Sequence, residues 1–148
     1  MSMGGPVDEY ACARAWSALS AAHARVAERL TAALGAAAGL SINDFEVLLR
    51  LDRAADPGLR LADLQPAVRL TQPSLSRLVT RLSQQGWVSR QGDPADRRGV
   101  RLALTPAGRD VLARAVPVHA RTIREVLLDR LGAAEQESLA AALTRIGD

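Results

Sequence analysis

A chain of 148 residues is long enough for one domain with a sizeable hydrophobic core. Aromatic residues make up only 3% of it, so leucine, valine and alanine must supply most of that core. No apolar run approaches a membrane span, and the start MSMGGPVDEY lacks the features of a signal peptide, so we expect a cytoplasmic protein without membrane contact. The single cysteine excludes an internal disulfide, and neither it nor the two histidines has metal-site spacing, so we expect no cofactor.

Positive charge is concentrated in one part of the chain. Between Arg69 and Arg101 there are 7 arginines and 2 acidic residues, a net charge of +5. The whole chain carries only +3, so the remainder carries −2. Such a local concentration is expected of a surface that contacts phosphates.

The first predicted element is a long helix over residues 7–37, after a loose start at residues 1–6. Side chains suited to a helix interface recur in it at alternating steps of four and three residues. A heptad-like seam of this kind needs a partner helix. The seam comprises Cys12, Trp16, Leu19, His23, Val26 and Leu30.

A second helix and the first part of a helix-turn-helix follow. Ser41 is predicted to cap the second helix, with Asp44 stabilising its first turn. The Asp-Pro-Gly sequence at 56–58 predicts a turn, and residues 59–61 a short strand. Residues 62–69 predict a further helix, which tolerates Pro66 only if it begins near Asp63.

The helix that begins after Thr71 has the clearest pattern. Thr71 is a good N-cap, and Gly86 ends the helix as a left-handed cap. One face is an apolar stripe of Leu75, Leu78, Val79 and Leu82. The opposite face has no acidic residue and suits base edges and phosphates, although a merely solvated face gives the same pattern. That face comprises Gln72, Ser74, Ser76, Arg77, Thr80, Arg81 and Gln84.

Residues 87–90 and 100–104 alternate like paired strands and predict a β-hairpin. The turn-formers between them are Gly92, Asp93, Pro94 and Gly99. Near the tip lie Asp96, Arg97 and Arg98, and an arginine on a protruding ribbon can enter a narrow minor groove. Asp96 can orient its neighbour by a charge-assisted hydrogen bond. Arginines on a turn can also serve solubility alone.

Two helices complete the chain. Thr105 followed by Pro106 opens the first, which is predicted to run towards Leu131 with a kink at Pro117. Gly132 breaks it, and residues 133–146 form the last helix. The inward faces are predicted to be Leu112, Ala115, His119, Ile123, Val126 and Leu127 in the first helix, and Leu139, Leu143 and Ile146 in the second.

Together these elements predict a mainly α fold with a small β-wing, in a single domain spanning 1–148. A winged helix-turn-helix lobe at 41–105 would be flanked by dimerisation helices at 7–37 and 106–147. Because the terminal helices have no obvious partner within one chain, we infer a two-fold homodimer. Its recognition helices would lie about 34–36 Å apart and read a near-palindromic operator in double-stranded DNA. A monomeric bundle is the alternative.

The chain resembles the MarR family of winged helix-turn-helix regulators. The resemblance is carried by GWVSRQGDPADRRGVRLALTPAG at 86–108, in which Asp96-Arg97-Arg98, Val100 and Leu104-Thr105 keep the spacing of the family's wing motif. It implies the same dimer. It also implies that a small molecule or an oxidant binds between the dimer helices and the DNA-binding lobe and releases the DNA.

Two sets of residues are candidates for receiving that signal. The resemblance to a branch that binds urate-like anions points to Trp16, Asp63 and Arg97 as ligand-binding residues, although a second early-helix arginine cannot be matched. The resemblance to peroxide-sensing relatives points to Cys12 as a redox residue. Structural roles compete: Cys12 as a buried small hydrophobe, Trp16 as a core or dimer residue, and Asp63 as a helix-start residue. His23 and His119 are predicted to be packed rather than to bind metal.

We predict a sequence-specific DNA-binding regulator that represses nearby genes and is released by an anionic or phenolic small molecule. Contacts to bases or phosphates are predicted for Gln72, Ser74, Ser76 and Arg77, contacts to the DNA backbone for Thr80 and Arg81, and minor-groove contacts for Arg98 with Arg97 close by. An enzyme is not expected, because no nucleophile with a base, phosphate loop or matched carboxylate pair is evident. The alternatives are an oxidant-sensing repressor that uses Cys12 and a protein-interaction module without DNA.

Overall fold

The computed structural model describes residues 8–147, except for the side chain of Ala67. The predicted loose segment 1–6 and the predicted helix start at Val7 lie outside the described residues. The fold is mainly α with one two-stranded sheet, as predicted. Its elements are α1 (Glu9–Ala38), α2 (Ile42–Asp52), α3 (Leu61–Val68), α4 (Gln72–Gln84), β1 (Val88–Asp93), β2 (Asp96–Leu104), α5 (Pro106–Val126), a 3₁₀ turn (Leu128–Arg130) and α6 (Ala133–Gly147).

The described chain divides into two compact units. The first takes in the described residues up to Leu30 and those from Thr122 onward, and the second is Thr31–Arg121. The core of the second unit is built mostly from leucines and valines of the end of α1, α2, α3, α4, the hairpin and the start of α5, together with Phe45 and Ala115. The predicted apolar stripe of α4 lies in this core, and Leu75 and Leu82 are fully buried there.

The helix starts follow the predicted capping chemistry. The Ser41 hydroxyl accepts the N–H of Asp44 at 3.1 Å, and the Asp44 carboxylate accepts the N–H of Ser41 at 2.9 Å, which forms a reciprocal capping box. Thr71 caps α4, and Gly86 follows that helix with a left-handed φ of 76°. These residues fix where α2 begins and where α4 begins and ends.

The segment before α3 differs from the prediction. Residues 59–61 do not form a strand, because only Leu59 pairs with the hairpin, through two hydrogen bonds to Leu102 of 3.0 and 2.8 Å. Arg60 is the N-cap of α3, which therefore begins at Leu61. Pro66 accordingly lies inside the helix and not in its first turn. The start is fixed by Asp63, whose carboxylate accepts the N–H of Arg60 at 2.9 Å.

The hairpin formed by β1 and β2 is longer than predicted. The strands pair in antiparallel register from Val88 opposite Leu104 to Gly92 opposite Val100. The register then shifts after Gly92, so that Asp93 lies opposite Asp96. Turn-forming residues thus extend the strands, because backbone pairing across the hairpin outweighs their local preference. We call residues 88–104 the wing.

Much of the predicted seam on α1 is exposed in the described chain. Trp16 is 70% exposed and Leu19 is 41% exposed. Cys12 and His23 are also exposed, so they are not packed within the described chain, and burial of either one against a second chain stays a prediction. The described residues of the first unit offer these side chains no cover. Leu30, at the other end of the seam, is buried.

Of the two C-terminal helices, α5 is shorter than predicted and α6 is less buried than predicted. Helix α5 ends at Val126 rather than near Leu131, and a 3₁₀ turn follows it. On α6, Leu143 is 41% exposed and Ile146 is 74% exposed, although both were predicted to point inward. The described part of the first unit therefore has uncovered apolar side chains on both α1 and α6.

No single helix in residues 8–147 is apolar and long enough to cross a membrane. Only α1 and α2 taken together, with a bend of 68° between them, would reach that length and composition.

One histidine is predicted to make the stability depend on pH. His119 stacks on Phe45 with ring centroids 4.4 Å apart, and burial lowers the pKa of its imidazole. Because the unfolded chain binds this proton more readily, stability is full above the unfolded pKa of about 6.5 and decreases as the pH falls through it. Between about pH 7 and about pH 5, we expect the unfolding midpoint of the wild type to fall further than that of His119→Phe. Equal pH profiles in thermal unfolding would contradict this.

Candidate nucleic-acid interface

The face of α4 opposite the core is polar and free of carboxylates. Gln72, Arg77, Thr80 and Gln84 are exposed on it, and Ser74 and Ser76 are half-buried. At its N-terminal end, Ser74 accepts hydrogen bonds from the hydroxyl of Thr71 at 3.0 Å and from the guanidinium of Arg77 at 3.2 Å. The N-terminal turn of α4 therefore presents an ordered set of donors and acceptors.

Arg81, on the same helix, is held by a buried carboxylate. Its guanidinium donates to both oxygens of Asp44, at 2.5 and 3.3 Å. The Asp44 side chain is only 2% exposed, whereas that of Arg81 is 46% exposed. The sequence predicted a DNA-backbone contact for Arg81, but the structure engages its guanidinium in an intramolecular bidentate ion pair. This pair joins the first turn of α2 to the last turn of α4.

Thr80 is also engaged, by an arginine for which the sequence predicts no specific contact. Arg90 of β1 donates to the Thr80 hydroxyl at 2.8 Å, and that hydroxyl donates to the Ser76 carbonyl at 2.9 Å. The contact joins the wing to the polar face of α4. Arg90 is exposed and belongs to the basic segment, residues 69–101. The concentration of positive charge there was the one sequence signal for a role of Arg90 in DNA binding.

A buried carboxylate lies at the distal end of the wing. One oxygen of Asp93 accepts hydrogen bonds from Arg60 at 2.8 and 2.5 Å and from Arg101 at 3.0 Å. Its other oxygen accepts the N–H of Ala95 at 3.0 Å. The backbone hydrogen bond from Ala95 and the bonds from the two arginines outweigh desolvation and lower the pKa of Asp93. From the sequence alone, Asp93 is predicted only to form a turn.

The predicted minor-groove residues lie beyond this carboxylate. Arg97 and Arg98 are exposed, and the Asp96 carboxylate accepts the backbone N–H of Arg98 at 3.0 Å. Asp96 therefore orders the backbone at the tip, and not the neighbouring guanidinium as predicted. Its other oxygen lies 3.9 Å from Arg60.

The arginines of the basic segment fall into two groups. Arg81 and Arg101 are ion-paired with buried carboxylates. The others have no carboxylate within salt-bridge distance among residues 8–147, and they supply the positive charge that is free to meet phosphates. These are Arg69, Arg77, Arg90, Arg97 and Arg98.

The predicted ligand-binding residues are not brought together by any described contact. Trp16 belongs to the first unit, and Asp63 and Arg97 belong to the second. Asp63 has the helix-start role that competed with ligand binding, because its carboxylate caps α3. Among the described residues, no group of three or more histidine, cysteine or acidic side chains is arranged to hold a metal ion.

A helix with an exposed, acid-free face beside an arginine-tipped hairpin defines a winged helix-turn-helix lobe, and comparison with known proteins identifies the family. Residues 40–100 match the model of the MarR family. The transcriptional regulator HosA of Escherichia coli O111:H- is 36% identical over 84 residues, which cover 57% of this chain and 62% of HosA. An HTH-type transcriptional regulator of Bacillus cereus (strain ATCC 10987 / NRS 248) is 31% identical over 107 residues, which cover 72% of this chain and 69% of the relative.

A solved structure matches nearly the whole chain. Sco3205, a MarR family transcriptional regulator from Streptomyces coelicolor crystallised in complex with DNA, superposes with a TM-score of 0.89 at 27% identity. The match covers 99% of this chain and 91% of Sco3205. This chain belongs to the MarR family, whose members named above are transcriptional regulators.

Proposed function

We propose that this chain is a homodimeric, sequence-specific DNA-binding regulator that represses genes near its own. The observation that carries the proposal is an exposed, acid-free face on α4, joined through Arg90 to a wing whose tip arginines have no carboxylate partner among residues 8–147. A helix of this kind fits the major groove, and an arginine at a wing tip fits the narrow minor groove. The DNA complex of Sco3205, a relative of the same fold, supports the same use here.

The proposed roles follow from what each side chain is free to contact. Gln72, Ser74, Ser76 and Arg77 meet base edges or phosphates, because they line the exposed N-terminal part of α4. Thr80 meets the DNA backbone together with Arg90, to which it is bound. Arg98, with Arg97 beside it, enters the minor groove. Arg81 holds α4 in place, and any backbone contact that it makes is secondary to its ion pair with Asp44.

Dimerisation through the terminal helices is proposed from uncovered apolar surface. Tyr10, Trp16, Leu19, Leu143 and Ile146 are all exposed large hydrophobic residues of the first unit. Exposed apolar residues clustered on particular elements are typical of association surfaces. We therefore propose that residues 7–37 and 106–147 form the dimer and that 41–105 is the DNA-binding lobe.

The dimer proposal predicts the effect of a charge at Trp16. Trp16→Asp should raise the dimer dissociation constant at least about 30-fold, because a buried tryptophan at an interface contributes about 2 kcal/mol or more. Sedimentation velocity over a concentration series measures the shift. Val100→Asp is the matched control, since Val100 is 49% exposed but lies on the wing. An unchanged oligomeric state in Trp16→Asp would count against this interface.

Selection of bound duplexes from a random pool tests the function as a whole. A two-fold dimer should recover an inverted repeat whose half-sites are about 10–10.5 base pairs apart, the spacing of successive major grooves on one face of DNA. If the selected duplexes share no consensus sequence, or share only an isolated half-site, sequence-specific binding by a dimer is contradicted. A reporter gene placed behind the recovered site then distinguishes repression from activation.

Release by an effector is proposed in two alternative forms. One is an anionic or phenolic molecule that favours a spacing of the two DNA-binding lobes that does not fit the operator, with Trp16, Asp63 and Arg97 as the candidate contacts. The other is oxidation at Cys12, which the exposure of that thiol favours. Titration of the DNA complex with urate, salicylate and peroxide separates them, because Cys12→Ser should abolish only the response to peroxide.

A further inference from the structure

The carboxylate of Asp93 connects three separate pieces of the DNA-binding lobe. Arg60 reaches it from the N-cap of α3, Arg101 from β2, and Ala95 from the tip of the wing. Arg101 also donates to the carbonyl of Gly58 at 3.1 Å, in the turn before α3. A single acidic group thus ties the distal half of the wing to the helix-turn-helix.

The packing at this point leaves the tip little freedom. The Asp93 side chain is 1% exposed, and a Cβ added to Gly99 would lie 2.9 Å from the Cβ of Asp93. The two strands therefore close tightly around the carboxylate, just before the residues that carry the free guanidinium groups. Asp96 adds a second restraint by bonding the N–H of Arg98.

The charges of this cluster are balanced without DNA. Arg60 and Arg101 are matched by Asp93 and Asp96, so neither arginine is needed as a phosphate ligand. A buried carboxylate that accepts four hydrogen bonds strongly favours one arrangement, because any displacement leaves a buried charge without its partners. This distinguishes the cluster from the exposed arginines, whose side chains are not fixed by carboxylates.

We infer that Asp93 is a positioning residue for DNA binding: it fixes the wing tip on α3 so that Arg98 is presented to the minor groove in a preformed geometry. The inference rests on the proposed function. A wing held in this way is rigid before DNA binds. The entropic cost of ordering the wing is therefore met when the chain folds and not when DNA binds.

A double-mutant cycle in the full chain tests the inference. The variants are Asp93→Asn, Arg98→Ala and their combination, measured by fluorescence anisotropy on the wild-type operator at fixed salt. Asp93→Asn alone should weaken binding at least about tenfold, because it displaces the Arg98 contact in both wings of the dimer. In the Arg98→Ala background the same change should cost less than about twofold, since the contact that it positions is already gone. Asp52→Asn, which changes the same charge at the exposed end of α2, should have no effect.

The outcomes separate the inference from the function on which it rests. If the wild type fails to bind selectively, or if Arg98→Ala has no effect, the proposed function of the wing fails. If Arg98→Ala weakens binding but Asp93→Asn does not, or if the two effects simply multiply, the positioning role is wrong. Thermal unfolding identifies a variant that fails to fold. If Asp93→Asn fails to fold, Arg60→Gln replaces it in the cycle, with the same expected coupling to Arg98→Ala. Arg60→Gln removes one hydrogen-bonding partner of Asp93 and leaves Arg101 in place.

Discussion

Replacing Arg98 with alanine is expected to weaken operator binding by about 1–3 kcal/mol for each wing, and so by about 2–6 kcal/mol for a dimer that uses both. Arg98 is exposed, its guanidinium has no carboxylate partner among the described residues, and its backbone is fixed by Asp96. Loss of a minor-groove arginine removes a specific contact, and it also means that one counterion fewer is released when DNA binds. The magnitude of the salt slope should therefore fall by about one for each wing.

The control for this prediction is an arginine outside α4 and the wing. Arg53 is exposed at the end of α2, and Arg53→Ala removes the same charge. Anisotropy titrations of both variants at several salt concentrations measure affinity and slope together. Equal affinities for the wild type and Arg98→Ala at every salt concentration would remove the wing from the mechanism.

The second large effect is expected at Arg81, and it concerns stability. Arg81→Met should lower the free energy of unfolding by about 2–3 kcal/mol, because it leaves the buried carboxylate of Asp44 without its cation. The value lies below the scale of a fully buried pair, since the Arg81 side chain is itself 46% exposed. Urea unfolding followed by circular dichroism measures the change.

Arg77 provides the matched control on the same helix. It is exposed and donates only to Ser74 within the described residues, so Arg77→Met should change stability by less than about 0.5 kcal/mol. We expect the opposite order for DNA affinity measured well below the unfolding midpoint, with Arg77→Met the weaker binder. A stable Arg81→Met with a DNA defect as large as that of Arg77→Met would assign Arg81 to the phosphate backbone instead.

The local features of the fold were predictable because they depend on nearby residues. Thr71 and Gly86 mark the ends of α4, and the spacing from Leu75 to Leu82 identifies its buried face. Capping hydrogen bonds and helical periodicity join residues three or four positions apart, so both appear directly in the sequence. The wing was found for a related reason, since its strands alternate on either side of a short turn.

The two buried carboxylates were not predictable in the same way. Asp44 meets Arg81 across 37 positions of sequence, and Asp93 meets Arg60 across 33. Such pairs exist only after the helices and the wing have packed. A turn-forming aspartate and a helix-capping aspartate have the same local sequence signal whether or not a distant arginine reaches them. For this reason the sequence predicts a DNA-backbone contact for Arg81 and only a turn at Asp93.

The packing of the terminal helices was only partly predictable, for another physical reason. Apolar spacing identifies residues that need cover, but it does not say which molecule supplies that cover. Trp16 and Ile146 have the pattern of inward residues, yet both are largely exposed in the described chain. On the proposed account, a second copy of the chain supplies the missing surface.

The most direct test is an anisotropy titration of the full chain against the intergenic DNA beside its own gene, with a scrambled duplex as control and salt varied between about 50 and 200 mM. We predict tight binding to the intergenic duplex, much weaker binding to the scrambled one, and a steep decrease in affinity with salt that reflects the five arginines between residues 69 and 101 of each chain that have no described carboxylate partner. Equal, weak binding to both duplexes at low salt would contradict a sequence-specific regulator at this site. Genome-wide DNA selection would then decide whether an operator exists elsewhere or the basic surface serves another partner.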